Sequence, residues 1–385
     1  MRVVHVVDYS MPQMGYQEFL LPKFNAINGD DVYIITSDRY FPVPNYDETW
    51  KTLLGPRICG PGESLISNVN IIRLETLFEM KGRPWIKGLN ENLNRLKPDI
   101  VFVHGTGSLS AYRIAIGHLN HKPIILYDNH MIFDIIQKGF FQNIYYWFHK
   151  MIFSKLISRR AKYIYGVTEE TCQYLIDIEG FPSHKVKHLP LSVDHYHFCP
   201  KNERRKESKT TVVVQTGKFN LDKKPNWTAR VCLDLLREGE NITLRLVGSG
   251  DNSILQKIKM DFRNAGYIDK LSIEPMVPYQ QLPKIFQESD IAIYPDGTSL
   301  SALEAASSGC SVIMANLPAS IYREKTGIGR TYERGNIEDL KKKLLTLICE
   351  PDHASNRVER TREIIKKHYS YSNVATQMLD DIDIP

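Results

Sequence analysis

Short runs rich in valine and isoleucine recur along the chain, and segments with helical spacing separate them. In the first half these runs are Val3–Val7, Val32–Thr36, Ile71–Arg73, Ile100–His104, Ile124–Tyr127 and Tyr163–Val167. In the second half they are Thr211–Gln215, Thr243–Val247, Leu271–Ile273, Ile291–Tyr294 and Ser311–Met314. Wholly apolar strands that alternate with helices are typical of parallel sheets covered on both faces. The pattern therefore predicts an α/β fold.

The alternation is interrupted once, by the charged segment Lys201–Lys209, which we interpret as a linker. The chain of 385 residues is also longer than one hydrophobic core usually grows. We therefore expect two domains in tandem, residues 1–195 and residues 196–370. Ligands of such sheets bind beyond the carboxyl ends of the strands, so two facing domains predict a site in the cleft between them.

Composition and charge narrow the class of protein. The formal net charge of +5 is too small to indicate nucleic-acid binding, but it suits a protein that handles anionic phosphates or visits an anionic membrane surface. The six cysteines show no Cys-x-x-Cys spacing, which argues against a zinc site and predicts buried thiols in a reducing compartment. A strand begins at the N-terminus, and no apolar run reaches about 18 residues, so we expect a cytoplasmic location.

The segment Tyr294–Gly309 combines a strand end, a glycine turn and the start of a helix. Such a turn presents unpaired backbone N–H groups at a helix N-terminus, which favours a diphosphate. Glu304, about one turn inside the helix, is placed to accept hydrogen bonds from ribose hydroxyls. Asp296, at the strand end, is expected to face a sugar. The donor-binding residues predicted for the turn itself are Gly297, Ser299, Leu300 and Ser301.

A second phosphate-binding candidate follows the strand that opens the second half. Gly217 ends that strand, and Lys218 and Lys223 are placed to surround a phosphate with positive charge. A solvated basic loop is the alternative. The next strand runs into a turn at Gly248, where backbone can approach a ligand closely. Met276 and Val277 are candidates for contact with a nucleobase, with ordinary core packing as the alternative.

With these motifs, the second half resembles the retaining glycosyltransferases of family 4, which have the GT-B fold. Their hallmark is two glutamates separated by seven residues, the second of which begins Glu-Ala-x-Ala-x-Gly. Here Asp296 takes the first position and Glu304 the second, with Ser307 in place of the second alanine. The basic pair that this family places on the donor diphosphate falls on Lys218 and Lys223.

The resemblance extends over the whole chain. It implies two doubly wound Rossmann-like domains facing across a cleft, with a C-terminal helix at residues 371–385 returning to the first domain. The family's glycine loop falls on Gly15, and Gln17 and Glu18 are the predicted acceptor-binding residues. His130 takes the position of a family histidine that faces the donor sugar, and His104 is a weaker candidate at another strand end.

The resemblance predicts transfer of a hexosyl or N-acetylhexosaminyl group from a UDP- or GDP-sugar, with retention, to a glycan or lipid-linked acceptor in surface polysaccharide or glycoconjugate synthesis. The predicted catalytic residues are His130, Lys218, Lys223 and Asp296. No Asp-x-Asp motif follows a strand, so we expect metal-independent transfer without a cofactor. A GT-B nucleotide-sugar epimerase and a non-catalytic nucleotide-sugar-binding protein are the alternatives.

The segment Phe140–Arg160 is aromatic and basic. Helical spacing puts Phe141, Tyr145, Phe148, Ile152 and Leu156 on one face and Phe140, Ile144, Trp147 and Met151 on the adjoining one. Core packing explains one apolar face. Apolar cover this broad, with lysines and arginines beside it, also suits peripheral docking on the inner face of an anionic membrane. The sequence leaves both interpretations open.

Overall fold

The computed structural model describes residues 1–131, 140–201, 210–297, 299–350 and 354–382. The chain forms two compact units, which we call unit 1, Met1–Leu191 with Tyr371–Pro385, and unit 2, Ser192–Ser370. The predicted linker falls, apart from Lys201, outside the described residues.

Unit 1 contains one large sheet, a hairpin and the helices that cover them. Its strands are β1 (Arg2–Val7), β2 (Asp31–Ser37), β3 (Gly62–Ile66), β4 (Val69–Leu74), β5 (Thr76–Met80), β6 (Arg83–Ile86), β7 (Ile100–His104), β8 (Ile124–Asn129), β9 (Ala161–Gly166) and β10 (Val186–His188). Its helices are α1 (Gln17–Ile27), α2 (Tyr46–Thr49), α3 (Lys51–Leu54), α4 (Leu89–Leu96), α5 (Leu109–Ile116), α6 (Phe140–Phe148), α7 (Ser154–Arg160) and α8 (Glu169–Asp177).

The large sheet has the strand order β10-β9-β8-β7-β1-β2-β4-β3, and only β3 runs antiparallel to its neighbour. Every residue of β7 is buried, as expected for a strand with helices on both faces. The order reverses direction between β1 and β7. The loops after these two strands therefore diverge to opposite faces and leave a crevice at the carboxyl edge of the sheet.

Unit 2 repeats this construction on a smaller scale. Its strands are β11 (Thr211–Phe219), β12 (Ile242–Gly250), β13 (Leu271–Glu274), β14 (Ile291–Tyr294), β15 (Ser311–Ala315) and β16 (Arg330–Tyr332). Its helices are α9 (Pro225–Arg237), α10 (Asn252–Asn264), α11 (Leu282–Gln287), α12 (Leu300–Ser307), α13 (Pro318–Thr326), α14 (Ile337–Cys349) and α15 (Ala354–His368).

The sheet of unit 2 has the order β13-β12-β11-β14-β15-β16, and all its strand pairs are parallel. This is the strand order of dinucleotide-binding Rossmann folds, with the reversal between the first and fourth strands. Here the reversal falls between β11 and β14. The predicted α/β fold with two doubly wound Rossmann-like units is confirmed.

The C-terminal helix α16 (Tyr371–Asp380) belongs to unit 1 and packs against α1. Tyr371 stacks on Phe24 with ring centroids 6.0 Å apart. Just beyond the helix, Lys187 Nζ lies 2.7 Å from the Asp381 carboxylate. These contacts attach the end of the chain to the first unit. The last residues of the predicted helix 371–385 lie outside the described residues.

One expectation about the cysteines is wrong. Cys59 and Cys349 are exposed, whereas Cys232 and Cys310 are buried and Cys172 and Cys199 are partly buried. Cys349 ends a surface helix, and Cys59 lies in a loop before β3, so neither position has core packing to cover it. All six thiols are free.

Candidate active site

In unit 2 the loops after β11 and β14 meet at the reversal point of the sheet. Lys224 Nζ lies 2.7 Å from Asp296 Oδ2, although the two residues are far apart in sequence. Lys224 adopts a left-handed backbone conformation, with φ of 45°, just before α9 begins. Its side chain also lies over the ring of Trp227. The topology therefore joins the predicted lysine loop to the predicted acidic turn.

Asp296 is held in place by several donors. Besides Lys224, Arg334 Nε lies 3.0 Å from its Oδ1, and the backbone N–H of Gly297 donates to the same oxygen over 2.9 Å. Burial by itself raises the pKa of the Asp296 carboxyl, but the hydrogen bonds and the nearby cations outweigh it and hold the pKa below its usual range. Asp296 is thus a fixed carboxylate.

Lys218 and Lys223 lie near each other, and Lys223 also lies near Asp296. Burial lowers the pKa of Lys218, and the positive charge of Lys223 lowers it further. The pKa of Lys223 is also lowered, by burial, against the opposing effect of Asp296 and Asp222. The Lys223 ammonium lies so close to Gly297 that a β-carbon there would be 2.5 Å from Nζ. Two neighbouring lysines whose pKa values are lowered form a site where a bound anion would stabilise their charged forms.

The glycines of this edge have a structural role that sequence reasoning missed. Gly217 and Gly248 are paired across β11 and β12, so Gly248 lies inside a strand that continues to Gly250 rather than in a turn. A β-carbon on Gly248 would lie 1.9 Å from the carbonyl oxygen of Gly217. Close approach of the two strands therefore requires a glycine there, whether or not a ligand binds.

Helix α12 begins at the end of the acidic turn. The carbonyl oxygen of Ser299, at its N-cap position, accepts a 2.8 Å hydrogen bond from Arg323, which is itself 3% exposed. Ser299, Leu300 and Ser301 are half-buried, so the first turn of the helix remains accessible. A buried arginine thus positions the start of the helix, where unpaired N–H groups favour an anion.

Glu304 is the most unusual side chain of α12. It is 4% exposed, and burial raises its pKa to about 7, with a hydrogen bond from Ser301 acting in the opposite direction. Any further hydrogen-bond donor that reaches this buried carboxyl group would stabilise it.

Met276 and Val277 are half-buried in the segment between β13 and Tyr279. In the described part of the chain, no hydrogen bond joins either of them to the unit 2 site residues named above.

In unit 1 a hydrogen-bonded cluster surrounds Asp128. Asp128 and His104 are paired across β8 and β7, so their side chains project on the same face, and His104 Nδ1 lies 2.9 Å from Asp128 Oδ2. The same oxygen accepts from the Gln17 amide over 3.2 Å, and Oδ1 accepts from the backbone N–H of Gly105 over 2.9 Å. Asp128 is fully buried, and His104 and His130 hold its pKa far below the usual range against the effect of burial.

His130 completes this cluster. It follows Asp128 by two residues, and its Nε2 lies 3.4 Å from Asp128 Oδ2. Its side chain is 35% exposed. Partial burial lowers its pKa, but Asp128 and, more weakly, Glu18 outweigh this and raise it to about 9. His130 is therefore an accessible imidazolium at neutral pH.

The structure separates the two predicted acceptor residues. Glu18 lines a cavity of about 370 Å³ at the reversal point of the unit 1 sheet, and His104, Asp128 and His130 line the same cavity. Gln17 is 2% exposed, and its amide supports Asp128. Gly15 takes φ of 65°, a left-handed conformation that favours glycine, after a short 3-10 helix.

Several residues of these sites were missing from the sequence-based prediction. They are Asp8, Arg83, Asp128 and Glu179 in unit 1, and Lys224, Arg323 and Arg334 in unit 2. Asp8 and Asp128 carried a usable signal, because each polar residue ends an apolar strand. The others lie in segments whose spacing says nothing about which sheet edge they reach.

Solved structures of other proteins share the fold of this chain. A glycosyltransferase from Rickettsia africae matches with a TM-score of 0.72 at 15% identity, over 100% of this chain and 99% of that one. Sucrose-phosphate synthase from Thermosynechococcus elongatus matches at 0.70 and 14%, over 98% and 97%. HepE from Anabaena, in complex with UDP-glucose, matches at 0.70 and 12%, over 99% of both chains. These similarities establish that the fold is that of the GT-B glycosyltransferases.

Two family models identify the relationship more closely. The model "Glycosyltransferase Family 4" matches residues 26–196, and "Glycosyl transferases group 1" matches residues 200–364. The chain therefore belongs to the group 1, family 4 glycosyltransferases. No curated protein matches its sequence at a significant level.

Proposed function

We propose that this protein is a retaining glycosyltransferase that uses a UDP- or GDP-sugar to extend a glycan or a lipid-linked acceptor during synthesis of a surface polysaccharide or glycoconjugate. The observation that carries the proposal is the cluster at the reversal point of unit 2: Lys223 and Lys224 lie beside the fixed carboxylate of Asp296, Lys218 lies near Lys223, and α12 begins just after this turn. UDP is the favoured nucleotide, since HepE was solved in complex with UDP-glucose.

In this proposal unit 2 binds the donor. Transfer leaves negative charge on the departing β-phosphate, and Lys218, Lys223 and the N–H groups near Ser299 stabilise it without a metal ion. Glu304 accepts hydrogen bonds from the ribose hydroxyls, and Asp296 orients the transferred hexosyl or N-acetylhexosaminyl group. The remaining donor contacts that we propose in unit 2 are Gly217, Gly248, Met276, Val277, Gly297, Leu300 and Ser301, and the role of Gly15 of unit 1 in donor binding stays a prediction from the family resemblance.

Unit 1 serves the acceptor. His130, as an imidazolium, is a strong donor toward oxygen atoms of the sugar or phosphate. Glu18 lies in the cavity wall and is the acceptor contact that we retain, while Gln17 acts on the acceptor side through Asp128. The family's retention of anomeric configuration is part of the same proposal.

Thermal unfolding with nucleotide-sugars tests the donor assignment. A UDP- or GDP-hexose at about 100 times its Kd should stabilise the protein by about 2.7 kcal/mol and raise Tm.

Glu304→Gln keeps the side-chain volume, so the fold should remain. The affinity for the donor should fall about tenfold, which is the effect of a lost hydrogen bond to a charged group.

The controls separate the alternatives. ADP-sugars, included as controls in the same screen, should give a smaller shift. Stabilisation by no nucleotide-sugar contradicts the proposal. Binding without transfer to any glycoside would favour a non-catalytic role, and conversion of the donor without an acceptor would favour an epimerase.

We also propose that unit 1 docks on an anionic membrane, which suits a lipid-linked acceptor. The structure divides the aromatic segment in two: His149 and Ile157 are buried, whereas other large apolar side chains face solvent. The exposed ones are Ile144 (38%), Trp147 (59%), Phe148 (47%), Met151 (45%) and Ile152 (45%). The side chains of Phe140 and Phe141 lie outside the described residues.

The exposed side chains recur three or four residues apart and therefore share one face, which continues into the π-helical turn at His149–Phe153. Residues 144–160 contain Lys150, Lys155, Arg159 and Arg160 and no acidic residue. Their charge complements an anionic lipid surface. Within the described part of the chain no helix is long and apolar enough to cross a membrane.

Trp147→Asp should weaken binding to phosphatidylglycerol vesicles about tenfold or more, because burial of a large apolar side chain contributes roughly 1.5–3 kcal/mol. Co-sedimentation measures the bound fraction. Leu65→Asp is the matched control, since Leu65 is 65% exposed on β3 and should not affect binding. Equal binding of the wild-type protein to phosphatidylcholine vesicles, or no effect of Trp147→Asp, contradicts this assignment.

A further inference from the structure

A fully buried histidine, His5, lies in the middle of β1 and has no part in the reaction proposed above. Its ring centroid lies 5.4 Å from those of Phe102 and His104 of β7. Its Nδ1 lies 3.1 Å from His104 Nε2, and its Nε2 lies 3.1 Å from the side-chain oxygen of Asn25. Both ring nitrogens therefore take part in hydrogen bonds inside the core, where an unpaired polar group would be costly.

These contacts belong to one row of hydrogen-bonded side chains that ends at the accessible His130. His104 Nδ1 lies 2.9 Å from Asp128 Oδ2, and His130 Nε2 lies 3.4 Å from the same oxygen. Helix α1 supplies both Asn25, at the buried end of the row, and Gln17, which donates to Asp128. The row thus connects α1, the three adjacent strands β1, β7 and β8, and the lining of the cavity.

The direction of these hydrogen bonds follows from the ionised carboxylate of Asp128. A carboxylate only accepts, so His104 must carry a proton on Nδ1. Burial lowers the pKa of His5 well below its ordinary value, so the ring is neutral at neutral pH and carries one proton. That proton lies either on Nδ1, where it is donated to His104, or on Nε2, where it is donated to Asn25. In the second arrangement His104 must carry protons on both ring nitrogens.

Two observations favour the first arrangement, with the proton on His5 Nδ1. In the second, the two cations His104 and His130 would share the single buried carboxylate of Asp128. The second arrangement also leaves the buried amide nitrogen of Asn25 as a donor without a partner among the described residues. Turning this amide over brings its nitrogen to His5 Nε2 and leaves an oxygen unpaired, which buried sites tolerate more often than an unpaired N–H.

We propose that His5 is a positioning residue of the unit 1 site. It donates from Nδ1 to His104 Nε2, which leaves His104 a single proton and directs that proton to Asp128. Asp128 is thereby kept as an oriented carboxylate beside His130, and His5 itself contacts no substrate. The effect on catalysis rests on the proposed glycosyltransferase function, whereas the proton positions belong to the unliganded protein.

NMR spectra of the full-length protein, with the histidine rings labelled with the heavy nitrogen isotope, measure the proton positions without a ligand. The signals are assigned through His5→Phe and His104→Gln, in which one ring is removed at a time. We expect both rings to be neutral at neutral pH, each with its proton on Nδ1. A proton on His5 Nε2 together with an imidazolium at His104 would overturn the proposal.

Two replacements of His5 separate hydrogen bonding from packing. His5→Phe keeps the ring shape and removes both nitrogens. His5→Asn is smaller but retains an amide nitrogen that can donate to His104 from the position of Nδ1. With a UDP- or GDP-hexose, kcat should fall about 10- to 100-fold in His5→Phe and less in His5→Asn, because only the first variant releases the proton of His104 from Asp128. Tyr127→Phe is the matched control, since it removes a buried hydroxyl from β8 that donates to Ala111, outside the row.

The titration of His130 gives a second measurement that packing alone would not change. Asp128 and Glu18 are the acidic groups that act on His130, and both remain in His5→Phe. The partly positive N–H of His104 would no longer be held against the carboxylate oxygen that His130 shares. His130 should therefore titrate at a higher pH in His5→Phe than in the wild type or in Tyr127→Phe.

The outcomes keep this proposal apart from the donor assignment. If His5→Asn loses more activity than His5→Phe, packing explains His5 and the positioning role fails. An unchanged kcat and an unchanged His130 titration in His5→Phe also overturn it. If no nucleotide-sugar binds, the donor assignment fails, while the spectra still test the proton positions. Should neither His5 variant fold, the wild-type spectra decide, because the protonation of His104 alone distinguishes the two arrangements.

Discussion

Replacing Lys223 with methionine is expected to lower the rate of sugar transfer by about 10²- to 10³-fold, the usual cost of deleting one preorganised donor at a centre of developing negative charge. The Lys223 ammonium lies against Gly297, at the turn that leads into α12. Methionine retains the length and the apolar stem of the side chain and removes the charge. The loss should therefore fall on kcat more than on the fold.

The backbone around Lys223 gives a reason to expect the fold to remain. The backbone N–H of Lys223 donates a hydrogen bond to the Asn220 side-chain oxygen, and the Lys223 carbonyl oxygen accepts a 2.9 Å hydrogen bond from the Gln215 side chain. Both contacts are independent of the side chain. Lys342→Met provides the control, because Lys342 is an exposed lysine on α14 of the same unit. Steady-state kinetics in which Lys223→Met retains the wild-type kcat would remove Lys223 from the charge-stabilising role.

Replacing Asp128 with asparagine is expected to reduce the free energy of unfolding by about 3–5 kcal/mol at neutral pH, the usual cost of removing one partner of a buried ion pair. The carboxylate receives hydrogen bonds from His104, Gln17 and the backbone of Gly105, and His130 adds a further contact. Asparagine offers one oxygen in place of two. Its amide group would face N–H donors that it cannot satisfy.

The same substitution should change how stability depends on pH. His130 has a pKa raised to about 9, against about 6.5 in the unfolded chain. Its pairing with Asp128 therefore contributes fully below pH 6.5 and is lost as the pH rises toward 9. Asp128 has a lowered pKa, so its own contribution is lost only as the pH falls below about 3.9. Between about pH 3.9 and about pH 6.5, both Asp128 and His130 make their full contribution to stability.

Urea unfolding at several pH values between 6 and 9 measures this effect. The difference between wild type and Asp128→Asn should shrink across that range, because the wild type loses the His130 contribution and the variant lacks it. His130→Gln is the control that leaves Asp128 and His104 in contact, and it should remove the same pH-dependent part. A difference that stays constant from pH 6 to 9 would show that His130 does not titrate against Asp128. Glu18 is the other acidic group near His130, and Glu18→Gln would then test whether His130 titrates against Glu18 instead.

Element prediction succeeded where strands are buried on both faces. The segments Ile100–His104 and Ile291–Tyr294 are strands with the predicted bounds, because a short uninterrupted apolar run is typical of a strand that is buried on both faces. Sequence reasoning missed β3 and the hairpin formed by β5 and β6. β3 and β5 are largely exposed, at an edge or outside the main sheet, and β6 has only four residues, so none of the three forms a long uninterrupted apolar run.

The site was predictable to the extent that its residues follow strands. Asp296, Lys223 and His130 were predicted because chemistry-bearing side chains collect at the carboxyl ends of parallel strands, and each of them follows such a strand in the structure. Lys224 was passed over for its neighbour, since spacing alone does not tell which lysine pairs with Asp296. Arg323 and Arg334 had no signal, because each reaches the site from a helix or loop that follows a later strand.

The sequence by itself determined the class of fold, the family and the chemistry available at the strand ends, because burial on both faces of a sheet and short local motifs are properties of neighbouring residues. Only the tertiary structure decided which of these groups meet. The reversal of strand order brings Lys224 to Asp296 and Ser110 to Asp8, and the pairing of β7 with β8 brings His104 to Asp128. These partners are joined through sheet topology, which depends on how all the strands pack together and leaves no trace in the spacing of any one segment.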